Sequence, residues 1–279
     1  MLHLVLVSLL WAFSPGLTKG LTTGLESSFV AAARLGLALL VFLPFLRFKG
    51  LTPRLIATLA ALGAVQFGVM YLGYIESFRH LQAHEVALFT LTTPVFVTLL
   101  ADAQDRTFRV RALAAALLAV GGTVVVAFKG QAVQPTLWGL ALVQISNLAF
   151  AAGQVGYKRL RAQHPALRDR EVFGLLYAGA VLLTLPVALA RVDFATFTLT
   201  TTQLLTLVYL GVLASGVGFF LWNLGATQVG TGTLAVMNNA KIPLMVAVSL
   251  LFFGEYADIP RLFISLVLLT TAVWFAEKR

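Results

Sequence analysis

A lysine and two asparagines interrupt an apolar run near the end of the chain, in the stretch NNAKIPLM at residues 238–245. Lys241 lies about ten residues into a run of roughly twenty-three. A lysine at the middle of a membrane-spanning helix costs about 2.5–3.5 kcal/mol on insertion scales, a cost that is tolerable beside a wet cavity or an anion. We therefore predict that Lys241 attracts a carboxylate. The alternative is a structural salt bridge, or a hydrogen bond to carbonyls freed by Pro243.

Two residues near Lys241 extend this candidate site. Asn238 lies one helical turn earlier and shares its face. Pro243 cannot donate a backbone hydrogen bond, and Pro94 has the same effect in the first half of the chain. Interrupted helices at matching positions of two halves are typical of transporter sites, so Pro94 and Pro243 are predicted to act as gates. Kinks that serve packing alone are the alternative.

Other segments carry polar and aromatic residues at helical spacing, as in Gln66, Met70 and Tyr74. A mixed face of this kind suits an amphipathic small molecule, although ordinary helix packing explains each aromatic singly. The residues predicted to bind substrate are Lys241, Asn238, Asn223, Trp222, Tyr74, Trp11, Gln66, Gln154, Met70 and Phe219.

Several ionisable residues form a second candidate site. Arg34 either binds an anion or pairs with Glu76 or Glu85. Glu76, His84 and Glu85 form either a solvated rim or a proton-coupling group, since a histidine titrates near physiological pH. His80 and His84 are four residues apart, but the order of the zinc-binding motif is missing, so no metal site is predicted.

The sequence contains no pattern that indicates catalysis. A phosphate-binding loop is missing, and no Ser/His/Asp constellation falls within the apolar runs. We therefore predict that the protein is not an enzyme and needs no cofactor.

The composition points to a membrane protein. Of the 279 residues, 59% are hydrophobic and 11% are charged, whereas an average soluble domain is about 25% charged. The net charge of +9 invites a nucleic-acid interpretation, but the basic residues lie mainly in short turns between apolar runs. No nucleic-acid partner is predicted. Continuous runs of about 18–25 apolar residues favour helices over barrel strands.

The apolar runs predict an all-α integral membrane protein with ten transmembrane helices. An excess of Lys and Arg on one side places both termini in the cytoplasm. The predicted helices are 2–20, 27–47, 53–78, 83–102, 110–128, 135–158, 171–190, 203–228, 231–253 and 260–276.

An internal repeat organises these helices. A shift of 149 residues places Pro94 on Pro243 and residues 87–100 on 236–249. Each unit has five helices, and an odd number forces the second unit to enter the membrane from the opposite side. We predict two inverted five-helix repeats, at residues 1–130 and 131–279, with the binding site between them.

The chain resembles the drug/metabolite transporter superfamily in its EamA-type ten-helix form. The similarity lies in SLLWAFSPGLTKG (8–20), the helix 27–47 containing AAARLGLALL, the segment 71–94 and LAVMNNAKIPLMVAVSLLFFGE (234–255). It implies secondary transport, often export, of small metabolites such as amino acids or carboxylates. The first half departs from the acidic ending, because Arg106 stands where the second half has Glu255. No role is carried to Arg106.

We predict a bacterial inner-membrane transporter that exports amino acids or related carboxylates by alternating access, as a monomer or homodimer. The apolar part of the substrate is expected against Trp11, Tyr74 and Trp222, and its polar part near Lys241. Three alternatives stay open: a protein that moves a lipid or phosphate headgroup, an exporter of amphipathic drugs or cations, and a non-transporting membrane scaffold or enzyme subunit.

Overall fold

The structure is a computed structural model that describes residues 2–104, 133–229, 242–255 and 258–277, together with Arg106, Ala114, Leu118 and Met237. All regular structure in this part of the chain is helical. The α-helices are α1 Leu2–Trp11, α2 Ser14–Thr22, α3 Ser27–Phe42, α4 Pro53–Gly63, α5 Met70–Ser77, α6 Ala83–Phe89, α7 Thr93–Gln104, α8 Val133–Gln163, α9 Asp169–Arg191, α10 Thr201–Val208, α11 Gly218–Gln228, α12 Ile242–Phe252 and α13 Ile259–Glu277.

Helical spans long and apolar enough to cross a membrane dominate the described chain, which confirms the predicted all-α membrane class. The seven spans are Leu2–Thr22, Ser27–Phe45, Pro53–Ser77, Ala83–Gln104, Leu137–Gln163, Asp169–Arg191 and Thr201–Gln228. The predicted helix 110–128 lies almost wholly outside the described residues, as do Asn238 and Lys241. A total of ten helices therefore stays a prediction.

The helices begin where side chains satisfy free backbone N–H groups. Thr52 accepts from the N–H of Leu55 at 3.2 Å, directly before Pro53. Thr200 and Gln203 form a reciprocal capping box at the start of α10. Each cap replaces a hydrogen bond that the first helical turn cannot make within itself.

Proline interrupts the span that contains α6 and α7. A 3₁₀ turn at Thr90–Thr92 separates the two helices, and Pro94 is the second residue of α7. The backbone N–H of the second residue of a helix makes no hydrogen bond within the helix, so a proline at that position costs no such bond. The helix that contains Pro243 is described only from Ile242 onward. The predicted interruption at Pro94 is present, while a gating role for either proline stays a prediction.

Two spans contain a π-helical segment, Ala64–Val69 and Tyr209–Val217. The shift of 149 residues places the first segment on 213–218, so the two segments overlap. A π turn takes more residues than an α turn and changes which side chains share a face. Such segments occur frequently at functional sites.

Helices from the two halves of the sequence pack against each other throughout. α9 packs on α3 and α4, α8 packs on α5 and α7, α1 packs on α11, and α12 packs on α6. The first half therefore builds no separate core in the described chain, and any space between these helices is lined by both halves.

Glycine permits the closest of these contacts. A Cβ on Gly63 of α4 would lie 1.9 Å from the carbonyl oxygen of Leu176, and one on Gly179 of α9 would lie 1.9 Å from that of Ala60. The backbones of the two helices meet at both points, as is common where small residues lie between membrane helices.

We expect Gly63→Ala to destabilise the protein, because the new methyl group displaces α9. The expected loss is about 1–3 kcal/mol, as for other overpacked sites. Gly36→Ala is the matched control, since it gains the same helix propensity and its Cβ meets nothing within 4 Å. Thermal unfolding in detergent measures both variants, and equal melting temperatures would contradict the proposed contact.

Candidate functional site

A cavity of about 610 Å³, its opening included, lies between helices of both halves. The residues that line it are Trp11, Ser14, Arg34, Met70, Tyr71, Tyr74, Thr90, Thr93, Ser146, Asn147, Phe150, Phe219 and Met245.

Arg34 supplies the charge of this cavity. Its side chain is only 2% exposed. The Nη1 group donates to Thr18 Oγ1 at 2.9 Å, Nη2 donates to Tyr71 Oη at 2.6 Å, and Nε donates to Ser215 Oγ at 3.2 Å. The guanidinium carbon also lies 4.5 Å from the centre of the Tyr71 ring. Three neutral side chains therefore fix the guanidinium in place.

The charge on Arg34 has no carboxylate partner among the described residues. Neither Glu76 nor Glu85, the two acids considered from sequence, contacts it in the described chain. An arginine has five N–H donors, and three are used by the hydroxyl groups. Burying an uncompensated cation costs several kcal/mol. The arrangement favours an anionic ligand.

Ser215 connects the arginine to the second π segment. Its hydroxyl donates to the carbonyl of Leu210 at 2.7 Å, so it accepts from Tyr71, whose Oη lies 2.7 Å away. Tyr177 Oη donates to the carbonyls of Ser215 and Gly216 at 2.7 and 2.9 Å. The segment's free carbonyls are thus held by side chains from other helices.

Aromatic rings form the apolar walls. The Trp11 ring lies 5.0 Å from the Phe219 ring and 6.5 Å from that of Phe150. Trp11 Nε1 donates to the carbonyl of Ala214 at 2.7 Å. Tyr74 lies 6.4 Å from Tyr71 in a stacked arrangement. These centroid separations are typical of aromatic pairs.

Four residues predicted to bind substrate lie outside this lining. Gln66 Nε2 donates to Asn223 Oδ1 at 3.1 Å, and Trp222 Nε1 donates to Gln154 Oε1 at 3.1 Å. All four side chains are buried. They form two buried polar pairs outside the lining of the cavity.

The π segment explains the different placement of Gln66. The expected face placed Gln66, Met70 and Tyr74 together at α-helical spacing. Because Gln66 lies within the π segment Ala64–Val69, it no longer stands one turn above Met70. Met70, Tyr71 and Tyr74 line the cavity instead.

Around the cavity, the structure brings together five of the predicted site residues: Trp11, Met70, Tyr74, Phe219 and Arg34. Tyr71, Thr93 and Ser146 were not selected from sequence. Small hydroxyl residues are common in membrane helices and carry no distinguishing spacing, whereas Tyr71 precedes Tyr74 by three residues within α5 and shares its face.

His84 and Glu85 contribute to helix capping rather than to the cavity lining. Glu255 accepts from the N–H of Ala83 at 2.6 Å and from the N–H of His84 at 2.9 Å. His84 Nδ1 lies 2.7 Å from Glu255 Oε2. Glu85 Oε2 accepts from the N–H of Gln82 at 2.8 Å. The start of α6 is therefore attached to the turn after α12.

The pKa of Glu255 reflects this capping. Burial acts to raise it, but hydrogen bonds from the His84 side chain and from the N–H groups of His84 and Ala83 outweigh burial and lower it below the ordinary value of 4.5.

Other charged side chains lie near the start of α6. Lys19 Nζ donates to the carbonyl of Leu81 at 2.8 Å. Glu76 lies 3.9 Å from His80. A coupling role for Glu76, His84 or Glu85 stays a prediction.

The first part of the chain matches a known family model. Residues 1–128 match the family described as the EamA-like transporter family. A solved crystal structure superposes with a TM-score of 0.69, at 17% identity, over 99% of this chain and 95% of that chain. At this identity the superposition shows a shared fold only.

Relatives of similar length extend the match to the whole chain. A protein of Pseudomonas aeruginosa named "Probable biotin transporter" is 41% identical over 98% of this chain and 96% of its own length. Proteins of Salmonella typhimurium and Escherichia coli named "Biotin transporter" are each 37% identical over 99% of this chain and 92% of their own. These names specify biotin and not an amino acid.

We expect Glu255→Gln to lower the stability at neutral pH by about 1–2 kcal/mol, because the α6 cap loses its charge. The folded pKa of Glu255 is lowered, so its contribution is complete above 4.5 and is lost as the pH falls through the folded value. Melting curves in detergent from pH 7 to pH 4 should show the two proteins converging under acid.

Glu171→Gln serves as the control, since Glu171 is partly exposed and its contact with Arg168 at 3.4 Å is a surface pair. A gap between wild type and Glu255→Gln that stays constant across the pH range would contradict the capping role.

Proposed function

The chain belongs to the EamA-like transporter family, and from this premise we propose that it carries biotin across a membrane. It is a multi-pass membrane transporter and not an enzyme. Three features support biotin as the substrate: the named relatives, the buried cation at the cavity and the aromatic walls.

The charge of the cavity separates biotin from an amino acid. At neutral pH biotin is a monoanion, whereas an amino acid also carries an ammonium group. Arg34 is the one charged side chain in the described lining, so it favours the carboxylate and repels the ammonium. Biotin therefore replaces the amino acid predicted from sequence, while the expected carboxylate class is kept.

The cavity walls suit the remainder of biotin. Its pentanoate chain and thioether ring are apolar, and the rings of Trp11, Phe150 and Phe219 with the thioethers of Met70 and Met245 offer apolar surface. Methionine side chains adapt to irregular ligand shapes. The single observation that carries the proposal is the buried guanidinium of Arg34, which has no carboxylate partner among the described residues.

We propose that transport proceeds by alternating access of two inverted five-helix repeats, at residues 1–130 and 131–279, in a bacterial inner membrane with both termini cytoplasmic. The overlap of the two π segments under the 149-residue shift supports the repeat. The family match over residues 1–128 ends near the proposed boundary. Interrupted helices at Pro94 and Pro243 are the proposed gates.

The other functions considered from sequence fit the cavity less well. A cationic drug would be repelled by Arg34, and the described lining of the cavity has no acidic group to bind it. A lipid or phosphate headgroup would match the charge, but the enclosing aromatic walls favour a compact ring compound. A counterflow assay with biotin as the solute tests the proposal against both of these alternatives.

We expect Arg34→Gln to raise the half-saturating biotin concentration about 10–100-fold in proteoliposome counterflow, because a hydrogen bond to a charged group is lost. The half-saturating concentration of Arg34→Lys is expected to lie between those of the wild type and Arg34→Gln, since an ammonium keeps the charge but lacks the planar guanidinium donors. Counterflow measures exchange and is therefore independent of the direction of net transport.

Arg47→Gln is the matched control, because Arg47 is exposed and donates to nearby backbone carbonyls. Melting curves check that each variant is folded. Unchanged biotin counterflow by folded Arg34→Gln would contradict the role of Arg34, and no biotin counterflow by the wild type would contradict the proposed function.

Lys241 and Asn238 remain predictions, because they lie outside the described residues. Met245, four residues after Lys241, lines the cavity. The same assay tests the sequence-based hypothesis directly: if Lys241 attracts the carboxylate, Lys241→Gln raises the half-saturating biotin concentration about tenfold or more. Equal half-saturating concentrations for the wild type and the variant would contradict the hypothesis that Lys241 attracts the carboxylate.

A further inference from the structure

One wall of the cavity carries neutral polar groups that the carboxylate site does not use. Asn147 Nδ2 on α8 donates to the carbonyl of Phe89 at 2.9 Å and to Thr92 Oγ1 at 2.8 Å. Phe89 ends α6 at the break before α7, where regular helical bonding stops. Asn147 and Thr92, whose Oγ1 donates at 3.0 Å, therefore both satisfy the carbonyl of Phe89 at this break.

This contact fixes the orientation of the Asn147 amide. A carbonyl oxygen only accepts hydrogen bonds, so the amide nitrogen must face Phe89 and Oδ1 must point elsewhere. Asn147 is 3% exposed and lines the cavity. Oδ1 has no hydrogen-bond partner within the described part of the chain, so it is available to accept from a ligand.

Two neighbouring hydroxyl groups are in the same condition. Ser146 and Thr93 are buried and line the cavity, and neither hydroxyl contacts a partner in the ranges that the structure describes. Unmade hydrogen bonds of buried polar groups are unfavourable. The wall formed by Thr93, Ser146 and Asn147 is therefore suited to a neutral ligand that both donates and accepts.

This wall is separate from the Arg34 site. Arg34 bonds to Thr18, Tyr71 and Ser215, whereas Asn147 bonds to groups at the α6–α7 break. The two networks share no hydrogen bond in the described chain. A ligand with a carboxylate at one end and a neutral polar ring at the other can therefore satisfy both.

We propose that Asn147, with Ser146 and Thr93, forms a second subsite that binds a cyclic urea, an inference that rests on biotin being the substrate. The ring of biotin offers two N–H donors and one carbonyl acceptor. Asn147 Oδ1 accepts from an N–H, and the hydroxyl groups donate to the carbonyl. Asn147 is thus a specificity-determining residue.

The test compares biotin with lipoate, a carboxylate that has a five-carbon linker and a sulfur ring but no N–H group. Both compete for counterflow of labelled biotin in proteoliposomes. Asn147→Ala is expected to raise the half-inhibitory concentration of biotin about tenfold while leaving that of lipoate unchanged, because a site built to bind an N–H discriminates by that bond.

Thr92→Val is the matched control, because it removes three neighbouring bonds of the same network from a residue outside the cavity lining, while Asn147 keeps its bond to Phe89. It should preserve the ratio of biotin to lipoate affinity. If Asn147→Ala is not recovered folded, the double variant Ser146→Ala/Thr93→Val decides, since both hydroxyls lack a described partner. It should lower the ratio about threefold or more.

A folded Asn147→Ala protein that keeps the wild-type ratio, or loses affinity for both compounds equally, would overturn the subsite alone and leave the proposed function standing. Absence of biotin counterflow by the wild type would overturn both.

Discussion

The buried guanidinium of Arg34 is the constraint on which the site depends. A cation inside a membrane-spanning bundle is unfavourable unless other groups compensate it. Here three hydroxyl groups orient it, and an aromatic ring lies beside it, but no carboxylate among the described residues neutralises it. The cavity thus keeps a positive charge that a monoanionic ligand completes.

The rest of the fold holds that charge in place. Tyr71 stands on α5, directly after one π segment, and Ser215 lies within the other. The second segment is itself fixed by Trp11 and Tyr177 through its carbonyls. Because these side chains come from both halves of the sequence, any movement of one half against the other changes the surroundings of Arg34. A transport cycle requires this kind of coupling.

Hydropathy was sufficient to predict the helical spans of the described chain, and several bounds agree closely, although the helix predicted at 135–158 extends to Gln163. The span predicted at 171–190 is Asp169–Arg191, and that predicted at 203–228 is Thr201–Gln228. Apolar run length determines these elements almost alone. The proline at 94 correctly indicated an interrupted helix, since a missing N–H acts locally.

The site was less accessible from sequence, because it depends on register and on contacts across the bundle. An α-helical spacing cannot reveal a π turn, so Gln66 was assigned to the cavity, whose lining it does not reach. Arg34 was expected either to bind an anion or to pair with Glu76 or Glu85, but the hydroxyl groups that orient it lie on three other segments. Neither the pairing of Asn147 with Phe89 nor the availability of its Oδ1 has a sequence signal.

The most direct test of the central claim changes the ligand and leaves the protein intact. Binding of labelled biotin to the purified wild type is measured in competition with unlabelled biotin and with its carboxamide, which keeps the rings and loses the negative charge. If the buried cation of Arg34 selects the substrate, the carboxamide competes about tenfold or more weakly than biotin. Equal competition by the two compounds would show that the carboxylate is not what the site binds, and the account built on Arg34 would be wrong.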